Sequence, residues 1–219
     1  MKHLTFIILS ILVFSCSKEN YETTNDNPTA QINKFFKDGA AVDSSTIFSD
    51  TSLVVYCVGD ENTITYAFTS EEKEIEWLKT QPFGNKVLES LKMAEELQSL
   101  AKKTGAITEF ETTGEVPLQF MAEMNKRLTS EIKSTEITGL FYDGIFTGST
   151  VPATTYPWIP GWDNKLTSAY SLSLGFHFYR HSFFRQRFYT WIIADFIHGP
   201  KIHFANSDWD NITSSTFNF

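Results

Sequence analysis

The sequence predicts two domains of different class, a small α+β unit over residues 30–136 and an all-β sandwich over residues 137–219, behind an amino-terminal address and a tether. Three observations predict this. The chain has 219 residues, room for one large domain or two small ones with a real core. Of its 33 aromatic residues 20 lie in the last 81, where five basic and five acidic side chains balance. The first 138 residues therefore carry the whole net charge of −8. That acidity argues against a nucleic-acid partner, which needs clustered Lys and Arg. Two cysteines exclude a disulfide-rich scaffold and the usual cysteine-based zinc sites.

The amino terminus reads as an address. Met1-Lys2-His3 is a short cationic start, and Leu4 to Phe14 is almost wholly apolar. A bilayer span takes about 20 apolar residues, so this run is too short for an anchor helix and has the length of a signal-peptide core over residues 1–15. It ends in Val13-Phe14-Ser15-Cys16, which resembles the lipobox of bacterial lipoproteins. The resemblance implies that Cys16 is lipidated and attaches the chain to a lipid bilayer. Ser17-Lys18-Glu19 resembles the short charged signal that sends lipoproteins to the surface in some Gram-negative groups. The expected location is the bacterial cell envelope, at the outer membrane or cell surface. Residues 16–29, rich in Asn, Thr, Glu and Asp, read as a flexible tether.

In the first domain, Leu53 to Val58 is apolar and β-branched, Thr63 to Phe68 alternates, and Gly59-Asp60-Glu61-Asn62 between them reads as a hairpin turn. Thr69 stands three residues before Glu72, a capping-box spacing that opens a helix with Ile75 and Leu78 on one face. A longer helix is expected over Asn85 to Lys103, with Leu88, Leu91, Ala94 and Leu97 as its stripe and Gly105 as terminator. Ile107 to Thr112 reads as a strand. Pro117 suits a first helical turn followed by Met121, Met124, Leu128 and Ile132. Candidate chemistry is thin here. Cys57 sits in an apolar strand, as a buried structural thiol does, and the Glu71-Glu72 and Glu95-Glu96 pairs read as solvated helix faces. With no histidine between Lys18 and Glu136, a Cys–His or Ser–His pair needs a partner from the second domain.

The second domain contains a repeat. Trp162-Asp163-Asn164-Lys165-Leu166-Thr167-Ser168 and Trp209-Asp210-Asn211-Ile212-Thr213-Ser214-Ser215 share Trp-Asp-Asn, two variable positions, a hydroxyl residue and Ser. An aromatic hairpin segment precedes each, Phe141 to Gly148 and Phe178 to Arg187. Together they resemble the βγ-crystallin superfamily, whose Greek-key unit pairs an aromatic hairpin with a later Asn/Asp-rich loop ending in Ser/Thr-Ser. Phe141, Phe146 and Gly148 match the first hairpin; Tyr179 and Phe184 match the second. The resemblance covers about 80 residues and implies a double Greek-key sandwich. It also implies a pair of Ca²⁺ clamps of the kind found in microbial members. Gln186 stands where the second hairpin motif carries glycine, so a distorted hairpin is expected there.

The ligand chemistry fits without the family. Ca²⁺ takes about 6–8 oxygens, and these loops offer carboxylate, amide, hydroxyl and carbonyl oxygen. The first set is a side-chain oxygen of Asp163 or Asn164, the Thr167 hydroxyl and the Lys165 carbonyl. The second is Asp210 or Asn211, the Ser214 hydroxyl and the Ile212 carbonyl, with hairpin carbonyls near Asp143 and Arg180 completing the shells. With one carboxylate per clamp, affinity should be modest, about 10⁻⁴–10⁻³ M. The other reading of these loops is that Asp, Asn, Ser and Thr simply close local turns. His177 and His181, four apart on a strand, are expected on its surface rather than as a zinc pair.

The function these readings imply is a non-catalytic, envelope-tethered lipoprotein whose βγ-crystallin-like domain binds Ca²⁺, with an unnamed protein or glycan partner. The alternatives are an envelope hydrolase with its site in or beside the α+β domain, and an inhibitor or carbohydrate-binding module that uses Trp158, Trp162 or Trp209 for stacking.

Overall fold

In the computed structural model the described residues are 34–50, 52–59, 64–131, 139–142, 148–159, 161, 165–171, 175–192, 201–203 and 213–219. The signal segment, the tether, Cys16 and the Asp60–Asn62 turn lie outside them. In chain order the elements are β1 (Phe35–Lys37), β2 (Ala40–Ala41), α1 (Ser44–Phe48), β3 (Val54–Val58), β4 (Ile64–Phe68), α2 (Glu71–Lys79), α3 (Gly84–Lys103), α4 (Ala106–Thr113) and α5 (Leu118–Glu131). Then follow β5 (Gly139–Tyr142), β6 (Thr150–Ala153), β7 (Ser168–Ser171), β8 (Gly175–His181), β9 (Arg185–Ile192), β10 (Lys201–His203) and β11 (Ser215–Asn218). Helices thus occur with mixed, mostly antiparallel sheets. Among the described residues no helix is long and apolar enough to cross a membrane.

The expected hairpin is present as β3 and β4, antiparallel with Tyr56 opposite Tyr66. The helix after it starts one residue later than the capping-box spacing implies. Ser70 is the N-cap and its side chain accepts from the Lys73 N–H, while the Thr69 backbone and hydroxyl both donate to Asp38. The segment expected as a strand, Ile107 to Thr112, lies in helix α4. Its apolar members Ile107 and Phe110 are three apart, which is helical spacing, and both pack on the helical core. Gly105, with φ 74°, ends α3 and caps α4, a left-handed conformation that costs glycine nothing.

The expected boundary at 136/137 does not separate two compact units, because residues 32–219 form one. A seven-stranded sheet runs in the order β11-β8-β9-β3-β4-β1-β2 and takes strands from both sides of that boundary. The joint is a parallel pairing of β3 with β9, Val55 opposite Tyr189 through Val58 opposite Ile192. The paired stretches, Val55–Val58 and Tyr189–Ile192, are mostly apolar on both faces, the composition of a strand buried on two sides. The Gly59 N–H donates to the Ile192 carbonyl at 2.7 Å, and the Trp191 indole donates to the Gly59 carbonyl at 2.8 Å. A second sheet has the order β10-β7-β5-β6.

Strand alternation sends side chains from the larger sheet to two cores. Val55, Cys57, Phe176, Phe178, Tyr189 and Trp191 meet Phe141, Ala153, Leu166 and Ala169 from the smaller sheet and its approaches. Cys57, 5% exposed, is the buried thiol its apolar strand implies. On the opposite face Tyr56, Phe68, Tyr179 and Phe217 meet Leu78, Val87, Leu97, Phe120 and Met124 from the helices. The molecule is therefore layered as small sheet, large sheet and helices.

The turn between α2 and α3 is tight enough that a side chain at Gly84 would run into the Leu78 carbonyl oxygen. Gly84→Ala is expected to lower stability by about 1–3 kcal/mol through this overlap, although alanine is ordinarily the better helix former. Urea unfolding of the variant beside the parent chain measures it, and an unchanged midpoint contradicts the close packing.

Candidate functional site

The repeated loops enter the structure at equivalent places. Each runs into the strand beside its own hairpin, β7 beside β5 and β11 beside β8, with Ser168 opposite Tyr142 and Ser215 opposite Tyr179. The Thr167 N–H donates to the Tyr142 carbonyl at 2.9 Å, and the Ser214 N–H to the Tyr179 carbonyl at 2.9 Å. This register makes Tyr142, rather than Phe141, the counterpart of Tyr179. Phe141 and Phe178 instead share the core between the sheets. The Ser214 hydroxyl donates to the Arg180 carbonyl at 2.7 Å, so two expected oxygen ligands of the second clamp stand side by side. Ser215 donates to the His181 carbonyl and accepts from the Phe184 N–H, tying the same loop to the β8–β9 turn.

Thr167 and Ser214 are buried, while Lys165 is exposed and its ammonium donates to the Gly161 carbonyl. Asp163, Asn164, Asp210, Asn211 and Ile212 lie outside the described residues, as do Asp143, Phe146, Trp162 and Trp209. Among the described residues no group of three or more His, Cys, Asp and Glu side chains is placed to hold a metal ion. The Ser214 hydroxyl of the second loop and the Arg180 carbonyl of β8 beside it are hard oxygens, of the type Ca²⁺ takes rather than a soft transition metal. Gln186 takes a left-handed φ of 54°, and Gly148, which the sequence motif aligns with it, has φ 82°, although the strand register that matches Tyr142 with Tyr179 sets Ser149 level with Gln186. The conformation that the motif's glycine supplies is thus retained at a residue bearing a side chain.

A second constellation spans the helix face of the large sheet. Arg187 is 13% exposed and its partner Glu74 3%. One oxygen of Glu74, Oε1, accepts from both the Arg187 guanidinium and the Tyr56 hydroxyl. Arg187 also donates to the Tyr56 hydroxyl at 2.7 Å and to Thr190 Oγ1 at 3.1 Å. Burial alone disfavours the guanidinium charge, but Tyr56 and Glu74 outweigh it and hold Arg187 protonated. Burial pushes the Tyr56 hydroxyl well above its ordinary range. Beyond Thr190 the chain of contacts reaches His177 Nδ1 at 2.9 Å, and His177 Nε2 meets Ser90 Oγ at 2.7 Å.

The sequence places a Ser–His pair, if there is one, across the two regions, and Ser90–His177 is such a pair. Its polarity is wrong for catalysis. Ser90 donates its hydroxyl proton to the Val87 carbonyl at 2.7 Å, so toward His177 it acts as acceptor, with the proton on Nε2. A nucleophilic serine needs the reverse. Thr190, which accepts from Arg187, then donates to Nδ1, and every proton in the relay has a place with the imidazole neutral. Ser90, His177 and Thr190 are all fully buried. His177 therefore departs from the expected strand surface: it faces the helices, whereas His181 is exposed. Trp158, one of the tryptophans considered for stacking on sugars, packs on Phe110 of α4 at 5.2 Å between ring centroids.

Sequence reasoning missed the Glu74–Arg187 pair because Glu74 hides in the acidic run Glu71-Glu72-Lys73-Glu74. The available signal was phase, since Glu74 lies four residues before Leu78 on the buried side of α2. No protein-family model, curated protein or solved structure matches the chain.

Two outcomes follow from the relay. Glu74→Leu leaves the Arg187 charge buried without a counter-charge and is expected to cost about 3–5 kcal/mol, most of it regained in Glu74→Leu/Arg187→Met. A double-mutant cycle in urea reads both values. Burial, with Arg187 nearby, also holds the His177 pKa well below its ordinary value. The unfolded chain therefore takes up a proton below about pH 6.5 that the folded chain refuses, so stability falls as pH drops, by up to about 1.4 kcal/mol per unit. Asp38 works in a separate window. Burial raises its carboxyl, but hydrogen bonds from Lys73 and Thr69 outweigh that and hold it at about 2, so its contribution is lost only between 3.8 and that value. Melting between about pH 5 and 7 should show the slope in the parent chain and a flatter line in His177→Gln; equal slopes would exclude the neutral relay.

Proposed function

We propose that the chain is a non-catalytic bacterial lipoprotein, tethered to the cell envelope through acylated Cys16, whose carboxy-terminal half is a βγ-crystallin-like double Greek-key module that binds Ca²⁺. The observation that carries this reading is the doubled loop contact, Thr167 to Tyr142 and Ser214 to Tyr179. Local turns alone would not require each loop to be held at the same place against its own aromatic hairpin.

Strand order supports the Greek-key part. One half supplies β5, β6 and β7 to the small sheet, and β10 from the other half completes it against β7. The second half supplies β8, β9 and β11 to the large sheet, and Tyr156 from the first half bridges to Thr216 on its edge. Each half thus lends its third segment to the sheet of the other. A Greek key has spatial order 4-1-2-3, and the exchange of third segments locks two such units into one sandwich. The Ser214 hydroxyl beside the Arg180 carbonyl supports the ion: the two are hard oxygens that would be available to hold Ca²⁺.

Saturating Ca²⁺ at about 100 times Kd adds about 2.7 kcal/mol to the folded state and should raise the melting temperature by about 5–10 °C. Thr167→Ala/Ser214→Ala is expected to remove that shift, and no shift in the parent chain at millimolar Ca²⁺ would count against the metal. At Gln186 a glycine relieves left-handed strain of about 1–2 kcal/mol and loses some of it to chain entropy. Gln186→Gly should accordingly stabilise the apo protein by about 0.5–1 kcal/mol, measurable by chemical unfolding; destabilisation would mean that the side chain holds the hairpin.

A further inference from the structure

Between α2, α3 and the helix face of the large sheet lies an open pocket of about 490 Å³, within the range of small-molecule sites. Its wall is mixed: Phe68, Leu88, Leu91 and Phe184 form an apolar part, and Glu74, Arg187 and Tyr179 lie among the polar and charged residues that make up the rest. Tyr179 is 4% exposed, and its hydroxyl, which has no hydrogen-bond partner among the described residues, is not among their buried unpaired atoms, so it is open to the pocket. Glu74 uses Oε1 for both of its donors, so Oε2 is left without a hydrogen bond among the described residues. The polar part of the pocket thus offers a free acceptor, a free hydroxyl and the remaining guanidinium N–H groups.

Charge narrows the class of ligand. Arg187 is neutralised by Glu74, and Glu71 and Glu95 stand at the rim with Lys92, so an anion gains no net attraction. A cation would have to displace or approach the guanidinium. A neutral ligand with hydroxyl groups meets neither obstacle, because one hydroxyl can donate to Glu74 Oε2 and accept from Tyr179. An apolar ring face then suits the Phe and Leu walls, as the apolar linings of small-molecule sites do.

We propose that this pocket binds a neutral saccharide of about one or two rings, held by Glu74 and Tyr179. The site is separate from the loops argued to take Ca²⁺ and does not depend on them. The test is saturation-transfer NMR on the full chain with glucose, N-acetylglucosamine, maltose, cellobiose and N,N′-diacetylchitobiose, and with the dipeptide Gly-Leu as a charged comparison. Transfer to at least one sugar is expected, with affinity reduced about tenfold in Tyr179→Phe for the loss of one buried hydrogen bond. Tyr179→Phe keeps the ring that packs in the helical core, so its fold is checked by an unchanged melting curve; Leu91→Trp, which fills the pocket, should abolish transfer independently. Absence of transfer to every sugar, transfer undiminished in both variants, or preference for the dipeptide would overturn the proposal.

Discussion

Strand β3 runs parallel to β9, and the contact that closes this seam, Trp191 to Gly59, joins residues 132 apart in sequence. Both cores draw side chains from it. On one face the seam contributes Val55, Cys57, Tyr189 and Trp191 to the core between the sheets; on the other Tyr56 and Ile192 join the helical core. A sandwich ending at β9 would expose an edge with unpaired N–H and C=O groups, a hazard that proteins cover or charge. Here the amino-terminal strands cover it and continue the sheet, so the large sheet belongs to both halves of the chain while the small sheet is built from the carboxy-terminal half alone.

The polar relay is the companion constraint. It runs from Glu74 on α2 through Tyr56, Arg187, Thr190 and His177 to Ser90 on α3, touching both helices and three strands. An ion pair as buried as this contributes little net stability compared with apolar packing of the same volume. What it supplies is a single arrangement. Slide α3 along the sheet by one turn and Ser90 leaves His177, so Thr190 and Arg187 lose their sequence of donors and acceptors. Such dependence of one proton on the next is how a buried network selects one docking of a helix layer over near neighbours with equal hydrophobic area.

Much of this was legible in the sequence, and the failures have physical causes. The β3–β4 hairpin and α3 follow from local pattern, β-branched alternation in one and a long apolar stripe in the other. So does the doubled loop, because Asp-Asn and Ser/Thr-Ser recur at fixed spacing. The buried face of α3 was only half legible: Ala94 and Leu97 are buried, but Val87, Ser90 and Ala101 complete the face while Leu88 and Leu91 turn toward the pocket. The strand expected at Ile107–Thr112 failed because a short apolar–polar run fits either period. The union of the two halves left no local trace at all. Charge and aromatic content differ across residue 138, yet β3 and β9 pair through backbone groups that composition does not record.

The β8–β9 turn shows how the two halves became dependent on one another. Phe183 and Phe184 both have φ 58°, and Gln186 has φ 54°, three side-chain-bearing residues in the left-handed region at about 1–2 kcal/mol each. A hairpin serving only its own sandwich would relieve that strain with glycine. Here both rings are held by the helical core. Phe183 packs edge-on against Phe110 and Phe120, and Phe184 against Tyr179 and Phe217. Full burial of a phenylalanine contributes about 1.5–3 kcal/mol, and each edge-to-face pair adds about 0.5–1.5 kcal/mol, enough to offset the backbone cost at both positions. At Gln186, which is exposed, no such gain is available. Its conformation is inherited from the turn before it, and the strain there is the residue of anchoring a β-hairpin into a layer of helices.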